Sequence, residues 1–200
     1  EAQEFLNRNH SYGDAACKYR YGLFLKRHTG HIAAEMELRT GSGMTGRKIG
    51  TSSSVILNEV KNLSPGTLIA VATFSNARKW IKDGKEIRSY EWTRYASLPD
   101  LRVSGGMGKL LKAFIKEVQP DDIMSYADLE WSEGEVYERL GFEAEAEKEP
   151  VTFTIGTQTW ERKAIRRSLD KLGMTEDKLG DLFFCNFGSR KYRLKLTDYR

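Results

Sequence analysis

The sequence predicts an α/β protein with a mixed central sheet flanked by helices. Three observations support this fold class. An aromatic-rich strand pattern at Tyr90–Ser97 leads through a glycine-rich loop into a helix pattern. That helix has one clear apolar face, formed by Met107, Leu110, Leu111, Phe114, Ile115 and Val118. A short strand at Ile123–Ala127, a second helix and a further strand follow, and strands alternating with helices are typical of α/β folds.

Shorter patterns predict the elements that precede this stretch. Ala2, Phe5 and Leu6 have the spacing of an opening helix, and alternation from Tyr19 to Leu25 indicates a strand. Thr67–Phe74 is apolar on both faces, as expected of a buried central strand. Between these strands, residues 41–54 contain four Gly, four Ser and two Thr, a composition that favours a flexible loop. We therefore expect a flexible insertion at about residues 31–66.

The second helix is predicted from a capping box, in which Ser132 precedes Glu135 by three residues. Its inward face would hold Val136, Tyr137 and Leu140, and Gly141 would end it. Val151, Phe153 and Ile155 then alternate as in a strand.

The last part of the chain predicts a small α+β appendage. Its elements are a helix at Trp160–Leu172, a shorter helix from Thr175, and a hairpin of Leu182–Phe187 with Tyr192–Leu196. We therefore divide the chain into a main domain, residues 1–155, and a C-terminal extension, residues 156–200.

Composition narrows the class of protein. The chain has 200 residues, of which 40% are hydrophobic and 30% charged, which excludes a disordered tail protein and a fibrous rod. Its apolar stretches are far shorter than the roughly 20 residues of a membrane helix, so we expect no membrane association. Two distant cysteines and no visible secretory leader favour a cytoplasmic location.

Charge is unevenly distributed along the sequence. Residues 1–155 hold 21 Lys or Arg against 22 Asp or Glu, whereas residues 156–200 hold 11 against 6. In the opposite direction, residues 128–149 contain nine acids and only two basic residues. A basic extension could attract nucleic acid and an acidic segment a cationic amine, although solvated surface is the simpler interpretation of both.

Several motifs are weak candidates. The spacing of Gly41, Gly43 and Gly46 matches a dinucleotide-binding pattern, but no strand precedes it and no apolar helix follows. His28 and His31 lack a third ligand nearby, so we expect no metal site. His10, beside Tyr12, has the residue types for acid–base chemistry, but a turn or capping role is favoured.

The strongest candidate site is the loop that precedes the first long helix. It comprises Val103, Ser104, Gly105, Gly106, Met107, Gly108 and Lys109. Glycines before a helix let the backbone approach a ligand closely, and free N–H groups at the positive end of a helix bind anions such as a pyrophosphate. Lys109 would add a charged contact. A plain glycine turn is the alternative.

Together with the later segment Val136–Phe142, this loop resembles the GCN5-related N-acetyltransferase (GNAT) superfamily. In that family a Q/R-x-x-G-x-G/A loop holds the coenzyme A pyrophosphate, and a tyrosine in a Tyr-x-x-Leu-Gly-Phe-like helix protonates the leaving thiolate. The resemblance implies a GNAT-like sheet, acetyl-CoA or another acyl-CoA as cofactor, and Tyr137 as the proton donor. It covers about residues 90–155.

A finer likeness is to phage and mobile-element members of this fold, including Mom-type proteins that modify adenine in DNA. The residues that support it are Ser125-Tyr-Ala-Asp128, the following Gly134 and Tyr137, and the N-terminal segment Asn9–Tyr12. This likeness implies a nucleic acid as a possible partner.

These observations lead to one favoured function and two alternatives. The favoured function is an acyl-CoA-dependent N-acyltransferase acting on an amine, small or macromolecular, with Tyr137 as acid and Asp128, Glu130 or Glu91 as base. The first alternative is a nucleic-acid-directed protein of the same fold that uses basic residues of the extension, Lys163, Arg166, Arg167 and Lys171. The second is a catalytically inactive interaction module, which is permitted because Val103 stands where the family motif has Gln or Arg when Gly106 and Gly108 are its glycines.

Overall fold

A computed structural model describes residues 1–26, 34–40, 48–49, 54–55, 63–99, 101, 103–129, 131–148, 152–155, 158–161, 183–185 and 188–199. The chain forms two compact units, Glu1–Met124 with Lys195–Arg200, and Ser125–Leu194. Helices combined with a mixed sheet confirm the α/β class. Within the described ranges, no helix has the length and apolar character needed to cross a membrane.

The first unit is a mixed sheet with two helices. Its strands lie in the order β3-β2-β1-β5-β7-β8, with β4 paired to β2 and β6 paired to β7. Neighbouring strands are antiparallel except β7 and β8, which are parallel. The elements are α1 (Ala2–Asn9), β1 (Tyr19–Lys26), β2 (Ala34–Thr40), β3 (Lys48–Ile49), β4 (Ser54–Val55), β5 (Leu68–Phe74), β6 (Arg78–Lys82), β7 (Lys85–Ser97), α2 (Gly106–Val118) and β8 (Asp122–Asp128).

The core of this unit is centred on β5, whose seven residues are all buried. Phe74 stacks on Phe114 of α2 with ring centroids 3.8 Å apart, and Phe5 of α1 belongs to a buried cluster with Leu68 and Val71. Helices α1 and α2 both contact β5. Because both helices bury the strand, it is apolar on both faces, and the predictions of α1, β1, β5, β7, α2 and β8 are confirmed.

The structure has strands that the sequence patterns did not predict. Strands β2, β3 and β4 lie within the predicted insertion, whose residues 31–33, 41–47, 50–53 and 56–62 lie outside the described residues. Strand β6 pairs with β7 around a two-residue turn at Asp83 and Gly84, where both φ angles are positive. Positive φ at both central residues is the signature of a tight hairpin turn, and Asp-Gly is one of its preferred sequences.

The second unit contains one helix and two sets of strands. Its elements are α3 (Glu135–Arg139), β9 (Glu143–Lys148), β10 (Thr152–Ile155), β11 (Gln158–Glu161), β12 (Phe183–Cys185) and β13 (Ser189–Lys195). Strand β13 lies between β8 and β9, and a separate sheet has the order β11-β10-β12. The predicted strand at Val151–Ile155 is confirmed as β10.

Two predictions for the C-terminal region are wrong. Strands β12 and β13 do not form a hairpin, because β12 pairs with β10 while β13 pairs with β9. Trp160 and Glu161 lie in β11 and not in a helix. The rest of the two predicted helices lies outside the described residues. The division at residues 155 and 156 stays a prediction, although β13 of the predicted extension pairs with β9 of the predicted main domain.

The prediction of a capping box before α3 is also wrong. Gly134, with φ of +87°, is the residue that precedes the helix, and the Ser132 hydroxyl accepts a hydrogen bond from the Gly134 N–H at 3.0 Å. Val136 is exposed, so it does not belong to the inward face. A five-residue helix is too short for an apolar face to be inferred from spacing alone.

Candidate functional site

The glycine-rich loop of the first unit leads into α2 through a left-handed backbone. Gly105 precedes the helix with φ of +71° and ψ of 2°, a conformation that glycine adopts without steric cost. Ser104 and Gly105 are exposed. The loop backbone therefore lies at the protein surface where the helix begins.

Gly106 is buried and close-packed. A Cβ at this position would lie 2.7 Å from Val103 Cγ1, and 3.3 Å from both Leu23 Cδ1 and the Tyr95 hydroxyl oxygen. Any larger side chain would force these neighbours to move. Gly106 is thus required by packing, and its N–H donates to the Val103 carbonyl at 3.1 Å.

The backbone amides at the start of α2 form an anion-binding geometry. Gly106 and Lys109 donate to the carbonyls of Val103 and Gly105. The N–H groups of Met107 and Gly108 have no hydrogen-bond acceptor among the described residues. α2 has 13 residues, so its dipole adds a partial positive charge at this end. Lys109 is half-buried, and burial lowers the pKa of its ammonium group.

Strand β7 ends next to this loop and has a distinctive carboxyl-terminal half. Its parallel ladder with β8 in the first unit runs from Ser89 to Glu91, after which β5 is its only strand partner among the described residues of that unit. The pairing with β5 shifts at Thr93, so that one residue is inserted as a β-bulge. Ligands of α/β sheets bind beyond the carboxyl ends of parallel strands, and bulges are frequent beside such sites.

Glu91, predicted as a candidate base, lies on β7 at the end of the parallel ladder. Its carboxylate forms an ion pair with Arg78 at 3.0 Å, and its backbone N–H donates a hydrogen bond to the Ser75 hydroxyl oxygen. This pairing favours a structural role for Glu91.

Tyr137, the predicted acid, lies on α3 in the second unit. The Ser125 hydroxyl donates a hydrogen bond to the Tyr137 hydroxyl oxygen at 2.9 Å. Burial raises the pKa of the Tyr137 hydroxyl, against the lowering effect of this hydrogen bond. The hydroxyl is therefore protonated at neutral pH, and Ser125 would stabilise the phenolate left after proton donation.

Sequence reasoning missed the residue that supports Tyr137. The Tyr192 ring stacks on the Tyr137 ring with centroids 5.2 Å apart, and its hydroxyl donates to the Glu133 carbonyl at 2.7 Å. A Cβ on Gly134 would lie 2.5 Å from the Tyr192 hydroxyl oxygen. Tyr192 follows Tyr137 by 55 positions, and no local pattern signals such a distant contact.

Asp128, another of the predicted bases, is the last residue of β8. The Asp128 carbonyl accepts hydrogen bonds from the N–H groups of Trp131 and Ser132, which turns the chain after the strand. The Asp128 side chain is half-buried. Glu130 lies outside the described residues, as do His28, His31, and Gly41, Gly43 and Gly46 of the weaker motifs.

Part of the acidic segment of the sequence is ion-paired within the second unit. Glu145 of β9 forms ion pairs with Lys191 at 2.6 Å and with Arg193, and Glu147 pairs with Arg190 at 2.6 Å. All three basic residues lie on β13, which belongs to the predicted basic extension. Two of the three glutamates of β9 are therefore ion-paired, which weakens the attraction of this strand for other cations.

His10 stabilises a turn, as the favoured interpretation of its motif predicted. It follows α1, and its Nδ1 accepts a hydrogen bond from the Tyr12 N–H at 3.1 Å. Burial, and then the positive charge of Arg94, lower the pKa of the imidazole. In the described part of the chain, no group of three or more His, Cys, Asp or Glu side chains is arranged to hold a metal ion.

No protein-family model matches the chain, and no curated protein matches its sequence.

Proposed function

We propose that the protein is an acyl-CoA-dependent N-acyltransferase of the GNAT type, which transfers an acyl group to an amine. The observation that carries the proposal is the start of α2. There a left-handed Gly105 and a close-packed Gly106 precede two amides, of Met107 and Gly108, without acceptors among the described residues. This is the backbone arrangement that a pyrophosphate requires.

The residues present fit the cofactor in the first unit. Met107 and Gly108 would donate to phosphate oxygens, the α2 dipole would favour the negative charge, and Lys109 would add a cation. Gly106 keeps the backbone of the loop packed against Val103 and Tyr95. Bound acyl-CoA would supply an activated thioester.

In the second unit, the proposal assigns proton donation to Tyr137. Thioester aminolysis needs a proton on the departing sulfur and the loss of one from the amine. The raised pKa of the Tyr137 hydroxyl keeps the donor protonated at neutral pH. Asp128, the last residue of β8 and half-buried, is the base that we propose to accept the proton of the amine.

The test is cofactor binding by loop variants that leave the glycines intact. Ser104 is exposed and adjoins Gly105. Ser104→Glu introduces a negative charge beside the amides, so we expect coenzyme A to bind at least tenfold more weakly, since one unfavourable charge contact of about 1.4 kcal/mol suffices. Ser104→Lys, the matched control, should bind at least as tightly as wild type. Calorimetry measures both.

Equal affinity of both variants for coenzyme A would contradict the proposed position of the site. No detectable binding of coenzyme A or acetyl-CoA by the wild-type chain would overturn the acyltransferase proposal itself, provided that circular dichroism shows a folded protein.

A further inference from the structure

The β6–β7 ribbon, residues 78–88, is rich in positive charge. It has five Lys or Arg and two Asp or Glu, a net charge of +3, compared with +4 for the whole chain. The two strands pair from Arg78–Ser89 to Lys82–Lys85 around the Asp83–Gly84 turn. The ribbon therefore projects a cluster of cations from a rigid backbone.

Three of the five cations are neutralised near the base of the ribbon. Arg78 pairs with Glu91, Lys79 with Glu86, and Arg88 with Asp121. Lys82 and Lys85, at the tip, form no ion pair among the described residues. They lie directly opposite each other across the two strands, an arrangement of like charges that destabilises a sheet. A bound anion would relieve this repulsion.

Apolar groups accompany the cations at the tip. Ile81 is 76% exposed, which is exceptional for an isoleucine. It lies on the face opposite to that of Trp80, because alternate residues of a strand point to opposite sides. Trp80 is 37% exposed, and its ring packs edge-on against Tyr199 with centroids 5.6 Å apart. Lys195 lies over the Tyr199 ring at 5.7 Å.

We propose that this ribbon is a docking surface for duplex nucleic acid. The major groove admits a two-stranded β-ribbon, and its two walls are rows of phosphates. The ribbon has cations on both faces: Lys82 and Lys85 share the face of Trp80, and Lys79 and Arg88 share the face of Ile81. The ion pairs of Lys79 and Arg88 are open to solvent, so these two cations would exchange their carboxylate partners for phosphates. Cations on both sides suit insertion between two phosphate backbones, whereas an anionic membrane would require them on one plane. Ile81 would contact base edges.

The surface is separate from the proposed acyltransferase residues and does not depend on them. It differs as well from the basic residues 163–171 predicted from the sequence, which lie outside the described part of the chain. The phosphate contacts of the ribbon would be independent of base sequence, because Lys contacts to phosphates carry no sequence information.

The experiment is a titration of the full chain with a 20-base-pair duplex, followed by fluorescence anisotropy at several salt concentrations. We expect the logarithm of affinity to fall linearly with the logarithm of salt concentration. Lys82→Gln with Lys85→Gln should make the slope shallower by about 1.8, that is, about 0.9 for each lost phosphate contact. The advantage of wild type over this variant should then shrink roughly tenfold between 50 and 200 mM salt.

A matched control has the same change of charge elsewhere in the first unit. Lys112 and Lys116 are exposed on α2, and Lys112→Gln with Lys116→Gln should retain the wild-type slope. Ile81→Ser should weaken binding several-fold without changing the slope, because an apolar contact releases no counterions. Ile81 and Lys85 are exposed and Lys82 is half-buried at the end of its strand, so the variants should fold, which thermal unfolding checks.

Three results would overturn the proposal. One is the absence of duplex binding by wild type at 50 mM salt and micromolar protein. Another is an equal change of slope in the ribbon variant and the α2 control. The third is ribbon-dependent binding to vesicles of anionic lipid without binding to the duplex. Coenzyme A affinity is measured in parallel, so that failure of this proposal is distinguishable from failure of the acyltransferase proposal.

Discussion

At the scale of single residues, Tyr137 offers the clearest test of chemistry against packing. Its ring stacks on Tyr192 and packs edge-on against Phe142, and its hydroxyl accepts from Ser125. Tyr137→Phe keeps the ring and removes the proton donor. We expect turnover of the acyltransferase reaction to fall about 10²–10⁴-fold while coenzyme A affinity is unchanged, because a general acid acts only in the transition state. Stability should fall by about 1 kcal/mol with the lost hydrogen bond.

Tyr126→Phe is the matched control for this prediction. The Tyr126 hydroxyl accepts a hydrogen bond from Lys148 at 3.0 Å and lies on the same unit, but the proposal gives it no proton to transfer. Its turnover should equal that of wild type. Unchanged turnover in Tyr137→Phe would return Tyr137 to a purely structural role.

At the scale of elements, the sequence predicted those parts of the fold whose burial leaves a periodic pattern. β5, the second half of β7, α2 and β8 bury continuous or evenly spaced apolar residues, so their positions follow from local sequence. β6 and β9 could not be found in this way. Four residues of β6 and all six of β9 are exposed, and these strands are held by cross-strand pairing instead of by burial.

The candidate site likewise has a part that the local sequence predicts and a part that it does not. The glycine loop was predicted because its residues are consecutive in the sequence. The residues that pack against this loop were not predicted, because Leu23 and Tyr95 approach Gly106 only in the folded chain. The hairpin of β12 and β13 was wrongly predicted for the opposite reason: the two segments are near in sequence but pair with different strands.

The ion pairs between β9 and β13 predict how the stability of the protein depends on Glu145 and on pH. Although burial alone would raise it, hydrogen bonds from Arg193 and Lys191 hold the pKa of the Glu145 carboxyl below its ordinary value of 4.5. Glu145→Gln should reduce stability at pH 7 by about 1 kcal/mol, because two charged partners lose their acceptor. A group with a lowered pKa stabilises above its ordinary pKa, so wild type should lose this advantage as pH falls below about 4.5.

Glu143→Gln serves as the control on the same strand, since Glu143 forms no ion pair among the described residues. Urea unfolding over a series of pH values from 7 down to about 2 measures both variants, because the advantage is lost only as pH falls through the lowered pKa of Glu145. A loss of stability that is equal for Glu143→Gln and Glu145→Gln, or one that persists at acid pH, would contradict the assigned ion pairs.

At the scale of the whole molecule, the charge pattern of the sequence differs from that of the fold. The acidic segment and the basic extension look like separate attractants in the sequence. In the structure, Glu145 and Glu147 of the former pair with Arg190, Lys191 and Arg193 of the latter. Part of the apparent asymmetry is therefore internal pairing between β9 and β13. Partner recognition through charge is better sought at ion-pair-free cations such as Lys82 and Lys85.

The buried tyrosines give the last prediction, which concerns global stability at alkaline pH. Burial raises the pKa of the hydroxyls of Tyr21, Tyr90, Tyr95 and Tyr137 above their ordinary value of 10. Above about pH 10 the unfolded chain loses these protons while the folded chain retains them, so the free energy of unfolding must decrease as pH rises. Equilibrium urea unfolding between pH 8 and 11, with absorbance of tyrosinate followed in parallel, should show ionisation coupled to unfolding.

Tyr21 is expected to dominate this effect. It is fully buried, and its hydroxyl donates to the Glu117 carboxylate at 3.1 Å, so a second negative charge there would be repelled as well as desolvated. Tyr21→Phe should lose about 1 kcal/mol at pH 7 with the hydrogen bond, and its stability should then decline less steeply than that of wild type above pH 10. Parallel declines in the two proteins would contradict this prediction. They would mean that the Tyr21 hydroxyl ionises as easily in the folded chain as in the unfolded chain, despite its burial.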